Sequence, residues 1–248
     1  MTVEKKMIVL GIDSSSPVAS AAVVSDEILR AEYSLNLKKT HSEILLPMID
    51  EVLRRSGIDA GMLDGVAVSG GPGSFTGLRI GSATAMGLAE GLGIPIINIP
   101  TLEALAFNVY CSDRLICPMM DARRLEVYAA AYRPENGLLR AVISPEALPV
   151  SDFARQLNEL GESVLFLGDG VPVAAETLEG MLKIDHKFTP LNNARQRAGS
   201  VAALGIRYLS LGMVESPDEH RPVYLRKSQA ERERDERKKH DNPPDEAR

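Results

Sequence analysis

A two-half α/β fold is predicted by three features of the sequence. Short apolar runs alternate with amphipathic segments, the order strand-strand-strand-helix-strand-helix occurs twice, and an aspartate, Asp13 or Asp121, closes the first strand of each occurrence. The two occurrences share their order without obvious residue identity. That pattern reads as a pseudo-duplicated chain with domains at 1–103 and 104–226, followed by a tail at 227–248.

In the first half, 7–13 (MIVLGID), 18–24 (VASAAVV) and 28–35 (ILRAEYSL) are apolar, β-branched or partly alternating and read as three strands joined by short turns. Ser42 is a good N-cap, after which Ile44, Leu45, Met48, Ile49, Val52 and Leu53 recur with helical period until Gly57. Pro47 falls in the first turns of that helix and moves its expected start toward Leu46. A buried strand at 63–69, a glycine-rich turn, a helix from Thr76 to about Gly91 and a strand at 94–99 form a β-turn-α-β unit with parallel strands. A helix from Leu102 to Tyr110, capped by Pro100 and Thr101, links the halves.

The second half offers strands at 115–121, 126–132 and 138–143, a helix from Ser151-Asp152 to Leu160, a strand at 163–167 and a helix at 173–182. A last helix, 198–211, precedes PVYLR at 222–226 and has the option of packing back on the first half. From Gln229 the tail is nearly all charge and proline, and it is expected to be disordered beyond its first turn or two.

The chain has 248 residues, 44% of them hydrophobic, enough for a sizeable buried core. A net charge of −6 and the absence of Trp give no global field that attracts nucleic acid, so a partner would have to supply most of the basic surface. The opening MTVEKKMIVLGID has no apolar run of signal-peptide length and no segment reaches a membrane span, so a cytoplasmic location is expected. Cys111 and Cys117 are too few for a disulfide framework and lack neighbours at zinc-ligand spacing.

Two places could carry chemistry. Ser69 to Gly81, SGGPGSFTGLRIG, follows a strand and opens a helix, so its amides could converge on an anion at a helix N-terminus. It lacks the lysine and GK[ST] of a P-loop, and a tight turn is the alternative. Asp13, with Ser14, Ser15 and Ser16 in the turn after it, could hold Mg2+ through water or simply form the turn. Asp13, Ser14, Gly71, Gly73 and Ser74 are therefore the nucleotide-binding candidates.

Behind the loop, Gly77, Gly81, Ala85, Ala89 and Gly93 recur at i+4, a stripe almost without side chains. An interior helical glycine costs roughly 1 kcal/mol, so the stripe implies close approach, either of a second chain or of this chain's own sheet or first helix. His41 is followed at i+4 by Leu45, and His186, His220 and His240 are scattered, which argues against a helical two-histidine metal site. No G-x-S-x-G elbow is present, and neither cysteine has an activating base nearby in sequence. Arg79, Arg123, Arg124 and Arg226 are candidate anion or partner contacts, or else solvated surface charges.

GIDSSSPVASAAV, HSEILLPMIDEVL, AVSGGPGSFTGLRIGSATAMGLAEGLGIPIINIPTLEALA, DARRLEVYAAAY and PVYLR together resemble the bacterial TsaB (YeaZ) family. The resemblance is dense over the first 110 residues and continues as islands to Arg226, and GPGSFTGLRIG is its most specific part. It implies a two-domain actin-like ATPase fold (ASKHA, ribonuclease H-like). It also implies a subunit without catalytic residues or metal of its own, which pairs with the related transferase TsaD.

In that family the ATPase TsaE joins the pair, which transfers a threonylcarbamoyl group to N6 of adenosine 37 in tRNAs reading codons that begin with A. The chain would meet tRNA through the complex and pair with itself when TsaD is absent. Here Leu45 stands where a second histidine would be needed, so the metal pair of TsaD is missing. The resemblance further implies a docking face made of His41, Leu45, Met48, Ile49 and Val52 on the first helix with Gly77, Gly81, Ala85 and Ala89 on the second. No cofactor is expected beyond weak binding of ATP or ADP with Mg2+. The competing expectation is an independent kinase-like enzyme that uses Asp13 and the Gly70–Gly77 loop, with a metallopeptidase further behind.

Overall fold

The computed structural model describes residues 6–37 and 40–226. Its first sheet has the order β3-β2-β1-β4-β5, from β1 (Ile8–Asp13), β2 (Ala19–Ser25), β3 (Ile28–Leu35), β4 (Gly65–Gly71) and β5 (Ile96–Pro100). The second sheet has the order β10-β9-β6-β7-β8, from β6 (Leu115–Arg123), β7 (Glu126–Glu135), β8 (Leu138–Pro149), β9 (Val164–Leu167) and β10 (His186–Phe188). In each sheet the first three strands are antiparallel and later ones add in parallel, the arrangement of an actin-like α/β fold.

β1, β2 and β4 are buried along their whole length, which their Val, Ile, Leu, Ala and Gly content permits. One face of this sheet is covered by α1 (His41–Ser56) and α2 (Phe75–Leu92), where Leu45, Met48, Ile49, Val52, Ala85 and Ala89 join Leu10, Ile12, Val66 and Val68 in one core. On another core, α6 (Ala198–Ser210) sets Val201, Ala202 and Leu204 against Val9, Ala67 and Ile97. The N-terminus of α6 is tied to the sheet: Ser20 accepts from the Ala198 amide at 2.9 Å, and Glu32 accepts from the Gly199 amide at 2.9 Å and pairs with Arg197. In the second half, α4 (Val150–Leu160) and α5 (Val171–Met181) pack Phe153, Leu157, Ala174 and Leu178 onto Phe166 and Val127.

Two sequence expectations shift. α1 is entered from Thr40, whose side chain makes no capping bond, and Ser42 lies one turn-position inside it. Pro47 is tolerated within the helix because the buried Leu45, Met48, Ile49 and Val52 hold both sides of it in one core. β10 is an additional strand of only three residues, His-Lys-Phe, held in parallel register by β9. The expected disorder of the tail falls on 227–248, outside the described residues.

α3 (Thr101–Phe107) lies between the two sheets, with Leu102, Leu105 and Ala106 against Ile116, Met120, Ala130 and Leu167. Its Glu103 is 8% exposed and accepts from the Tyr208 hydroxyl at 2.8 Å. Burial pushes this carboxyl above its ordinary value of 4.5, and the Tyr208 bond offsets only part of that shift. A raised value means that the folded state keeps its proton longer than the unfolded chain. The contribution to stability is therefore full below about pH 4.5 and is lost as pH rises through the folded value. Glu103→Gln, which keeps an acceptor for Tyr208, is expected to raise the thermal midpoint at pH 7–8 and to converge with the parent near pH 4.5. A midpoint difference independent of pH would contradict this.

Candidate functional site: the Asp13 turn and the glycine loop

Asp13 ends β1 with 1% exposure. Its Oδ1 accepts from the Ser15 amide at 2.9 Å and the Ser15 hydroxyl at 2.7 Å, and its Oδ2 accepts from the Ser69 hydroxyl at 2.6 Å. Burial raises the Asp13 carboxyl above its ordinary value, while the bonds from Ser69 and Ser15 pull the other way. The charge of Asp169, to which sequence gave no role, adds to the rise. Asp169 accepts from Gln196 Nε2 at 3.0 Å and is itself raised by burial. Among the described residues no group of three or more His, Cys, Asp or Glu is placed to hold a metal ion.

The loop between β4 and α2 is packed against the chain's own backbone. The Ser74 amide donates to Ser15 O at 2.7 Å, the Gly71 amide to Thr101 Oγ1 at 3.1 Å, and the Gly77 amide to Ser74 Oγ at 3.3 Å. Three amides of the proposed anion cradle are therefore committed within the chain. Gly71 has φ +124°, and a Cβ there would strike Val223 O; the Val223 amide in turn donates to Gly70 O at 2.7 Å. A Cβ at Gly73 would lie 2.5 Å from Ser15 O. Ser14 turns away from the loop mouth and donates to Gly77 O at 2.8 Å. The five nucleotide candidates, Asp13, Ser14, Gly71, Gly73 and Ser74, do meet in one place, which is occupied by contacts among themselves and with 222–224.

The small-residue stripe requires a correction. Gly77, Gly81, Ala85 and Ala89 are buried inside this chain: Cβ atoms at Gly77 and Gly81 would collide with Ser14, and Ala85 and Ala89 sit in the core with Leu45, Met48, Ile49 and Val52. These eight residues cannot touch a partner while the fold is intact, because the turn after β1 and the first sheet already fill the space they leave. His41 differs, being half-buried at the start of α1 with Nε2 donating to Ser16 O at 2.8 Å. What α2 leaves exposed is a second stripe, Ala83, Gly87 and Gly91, again at i+4, and α1 leaves Leu46 with 57% of its surface open. No atom lies within 4 Å of a Cβ built at Gly87 or Gly91.

Two further residues tie down the chain after α6: His220, to which sequence gave no role, and Arg226, named there only as a candidate anion or partner contact. His220 is fully buried between Ser82 Oγ at 2.9 Å and Glu215 Oε2 at 3.0 Å, and it pins the chain after α6 to α2. Arg226 reaches the second half, pairing with Glu126 and donating to Ala122 O at 3.3 Å. Among the described residues no helix is long and apolar enough to cross a membrane.

A family model described as TsaD, tRNA N6-adenosine threonylcarbamoyltransferase, matches residues 30–234. The tRNA threonylcarbamoyladenosine biosynthesis protein TsaB of Bacillus subtilis (strain 168) is 34% identical over 227 residues, which is 91% of this chain and 96% of that protein. The protein of the same name from Escherichia coli (strain K12) is 36% identical over 148 residues, 56% of this chain and 64% of its own. Among solved structures, YeaZ from Pseudomonas aeruginosa superposes with a TM-score of 0.76 at 25% identity, covering 88% of this chain and all of that one.

Proposed function

Because the chain belongs to the TsaB (YeaZ) family of tRNA threonylcarbamoyladenosine biosynthesis proteins, we propose that it is the non-catalytic partner of TsaD. In that role it is required for threonylcarbamoyl transfer to N6 of adenosine 37 in tRNAs reading codons that begin with A. TsaE joins the pair, tRNA is met in the cytoplasm through the complex, and the chain pairs with itself when TsaD is absent.

The filled Asp13 turn is the observation that supports a silent subunit. A carboxylate with three intramolecular donors and a loop whose Gly71, Ser74 and Gly77 amides already bond Thr101, Ser15 and Ser74 have less to offer a nucleotide or a metal. Bound ATP or ADP has no part in this reading, which also sets aside the kinase-like alternative.

The docking face on this account is the outer side of α1 and α2, where Ala83, Gly87 and Gly91 let a partner helix approach α2 closely and α1 offers the exposed Leu46. Gly87→Leu and Leu46→Asp each add bulk or charge to open surface, and both variants are expected to stay folded, Gly87→Leu at least as stable as the parent. In capture by tagged TsaD each is expected to lose about tenfold or more in affinity. Unchanged capture by both folded variants would remove this face from the pairing.

A further inference from the structure

After α6 the chain runs back over the first half. Glu215 bridges Ile96, His220 is buried against Ser82, and Val223 bonds Gly70 before Arg226 crosses to Ala122 and Glu126. Along that path the Tyr224 ring lies 4.6 Å from the Phe75 ring, and the Arg79 guanidinium sits 4.0 Å above the same Phe75 ring. Arg79 and Tyr224 are exposed.

At the far end Ala122 leads into the turn between β6 and β7, where Arg123, Arg124 and Leu125 all adopt left-handed backbone, with φ of 65°, 58° and 63°. Each non-glycine residue in that region costs roughly 1 kcal/mol. The turn accepts that cost three times in succession and projects two exposed arginines and a leucine with 83% of its surface open. Among the described residues Arg79, Arg123 and Arg124 form no ion pair, while Arg226 is neutralised by Glu126.

We propose that this band, from Arg79, Phe75 and Tyr224 through Arg226 to Arg123 and Arg124, is a docking surface for single-stranded RNA. The proposal rests on the tRNA-modification reading above and gives the chain its own contact with the substrate. Arg79, Arg123 and Arg124, unpaired among the described residues, outnumber the one exposed carboxylate beside them, Asp121, whose Oδ1 accepts from the Arg123 amide at 2.7 Å, so the band complements a polyanion. The stacked Arg79, Phe75 and Tyr224 form a pre-set platform on which an unstacked base of any identity fits. A duplex presents no such base, so the platform selects single strands, bulges or loops. A protein partner is the weaker fit, because the exposed apolar part of the band is one ring pair with Val223 beside it and Leu125 at the far end, whereas a stable protein interface needs roughly 800 Å² per partner.

The test uses the full chain and two fluorescein-labelled probes: the unmodified anticodon stem-loop of a tRNA reading codons that begin with A, and a blunt RNA duplex of equal mass. Anisotropy is read at about 50 and 200 mM salt. The parent is expected to bind the stem-loop. The double variant Arg123→Asn, Arg124→Asn, whose asparagines accept left-handed backbone, should weaken binding to both probes about tenfold and lower the salt slope by about 2. Tyr224→Ala should weaken stem-loop binding about tenfold and leave the duplex unchanged.

Absence of stem-loop binding by the parent at low salt, or binding by both folded variants equal to the parent's, overturns the proposal. So does loss of TsaD capture with RNA binding unchanged, which would make the band a protein surface. Variants that bind RNA like the parent, while the chain is still needed for tRNA modification, overturn the band alone. A chain dispensable for modification overturns the function proposed above whatever the band does.

Discussion

Gly77→Ala is expected to lower the stability of the fold by about 3 kcal/mol, whereas Gly87→Ala, on the same helix, is expected to raise it by about 1 kcal/mol. In an exposed helix both changes would stabilise, since alanine is the better helix former. What differs is the neighbour. A Cβ on Gly77 would sit closer than 3.0 Å to the backbone oxygen of Ser14, and no rotamer change can relieve a backbone clash. Nor can the turn give way, because Ser14 Oγ bonds Gly77 O, Ser15 O holds the Ser74 amide and Ser15 caps Asp13. Moving one member breaks several buried hydrogen bonds at once. At Gly87 a Cβ meets open space. Urea denaturation followed by far-UV circular dichroism measures both, and a neutral Gly77→Ala would show that the turn and the helix are not locked together.

The order of elements along the chain was readable in the sequence because the buried strands are apolar runs punctuated by Gly, Pro and Asp, and such runs have few alternatives once buried on both faces. β10 escaped because His186, Lys187 and Phe188 have neither an apolar run nor alternation; β9 supplies the register that makes them a strand. The stripe from Gly77 to Ala89 correctly announced a close approach, but spacing alone does not say what approaches. Ser14 and the first sheet do, and the open stripe is Ala83, Gly87 and Gly91, one helical face away. At the loop, sequence located the cluster of Asp13, Ser14, Gly71, Gly73 and Ser74 but not its contents. The residues that close it, Thr101 and Val223, lie 30 or more positions from the glycines they meet. His220 was invisible for the same reason: its partner Ser82 is 138 residues away, and one histidine among Pro, Asp and Glu carries no local signal.

On the function proposed above, the chain is indispensable to the modification yet performs none of its chemistry. Asp13→Asn separates those two statements. An asparagine Oδ1 still accepts from both groups of Ser15, and its Nδ2 can donate to Ser69 Oγ, so the turn keeps its shape without its carboxylate. The deciding measurement is the yield of threonylcarbamoyladenosine, by nucleoside analysis of tRNA, in a reconstitution containing TsaD, TsaE, threonine, bicarbonate, ATP and a separate synthase that makes the threonylcarbamoyl donor, an adenylate, from them. It is run without this chain, with the parent, and with Asp13→Asn. Product is expected to be absent in the first case and equal in the other two. A catalytic or metal-binding Asp13 would instead lower the rate by about a hundredfold or more on substitution. That loss, or full product without the chain, would contradict the account.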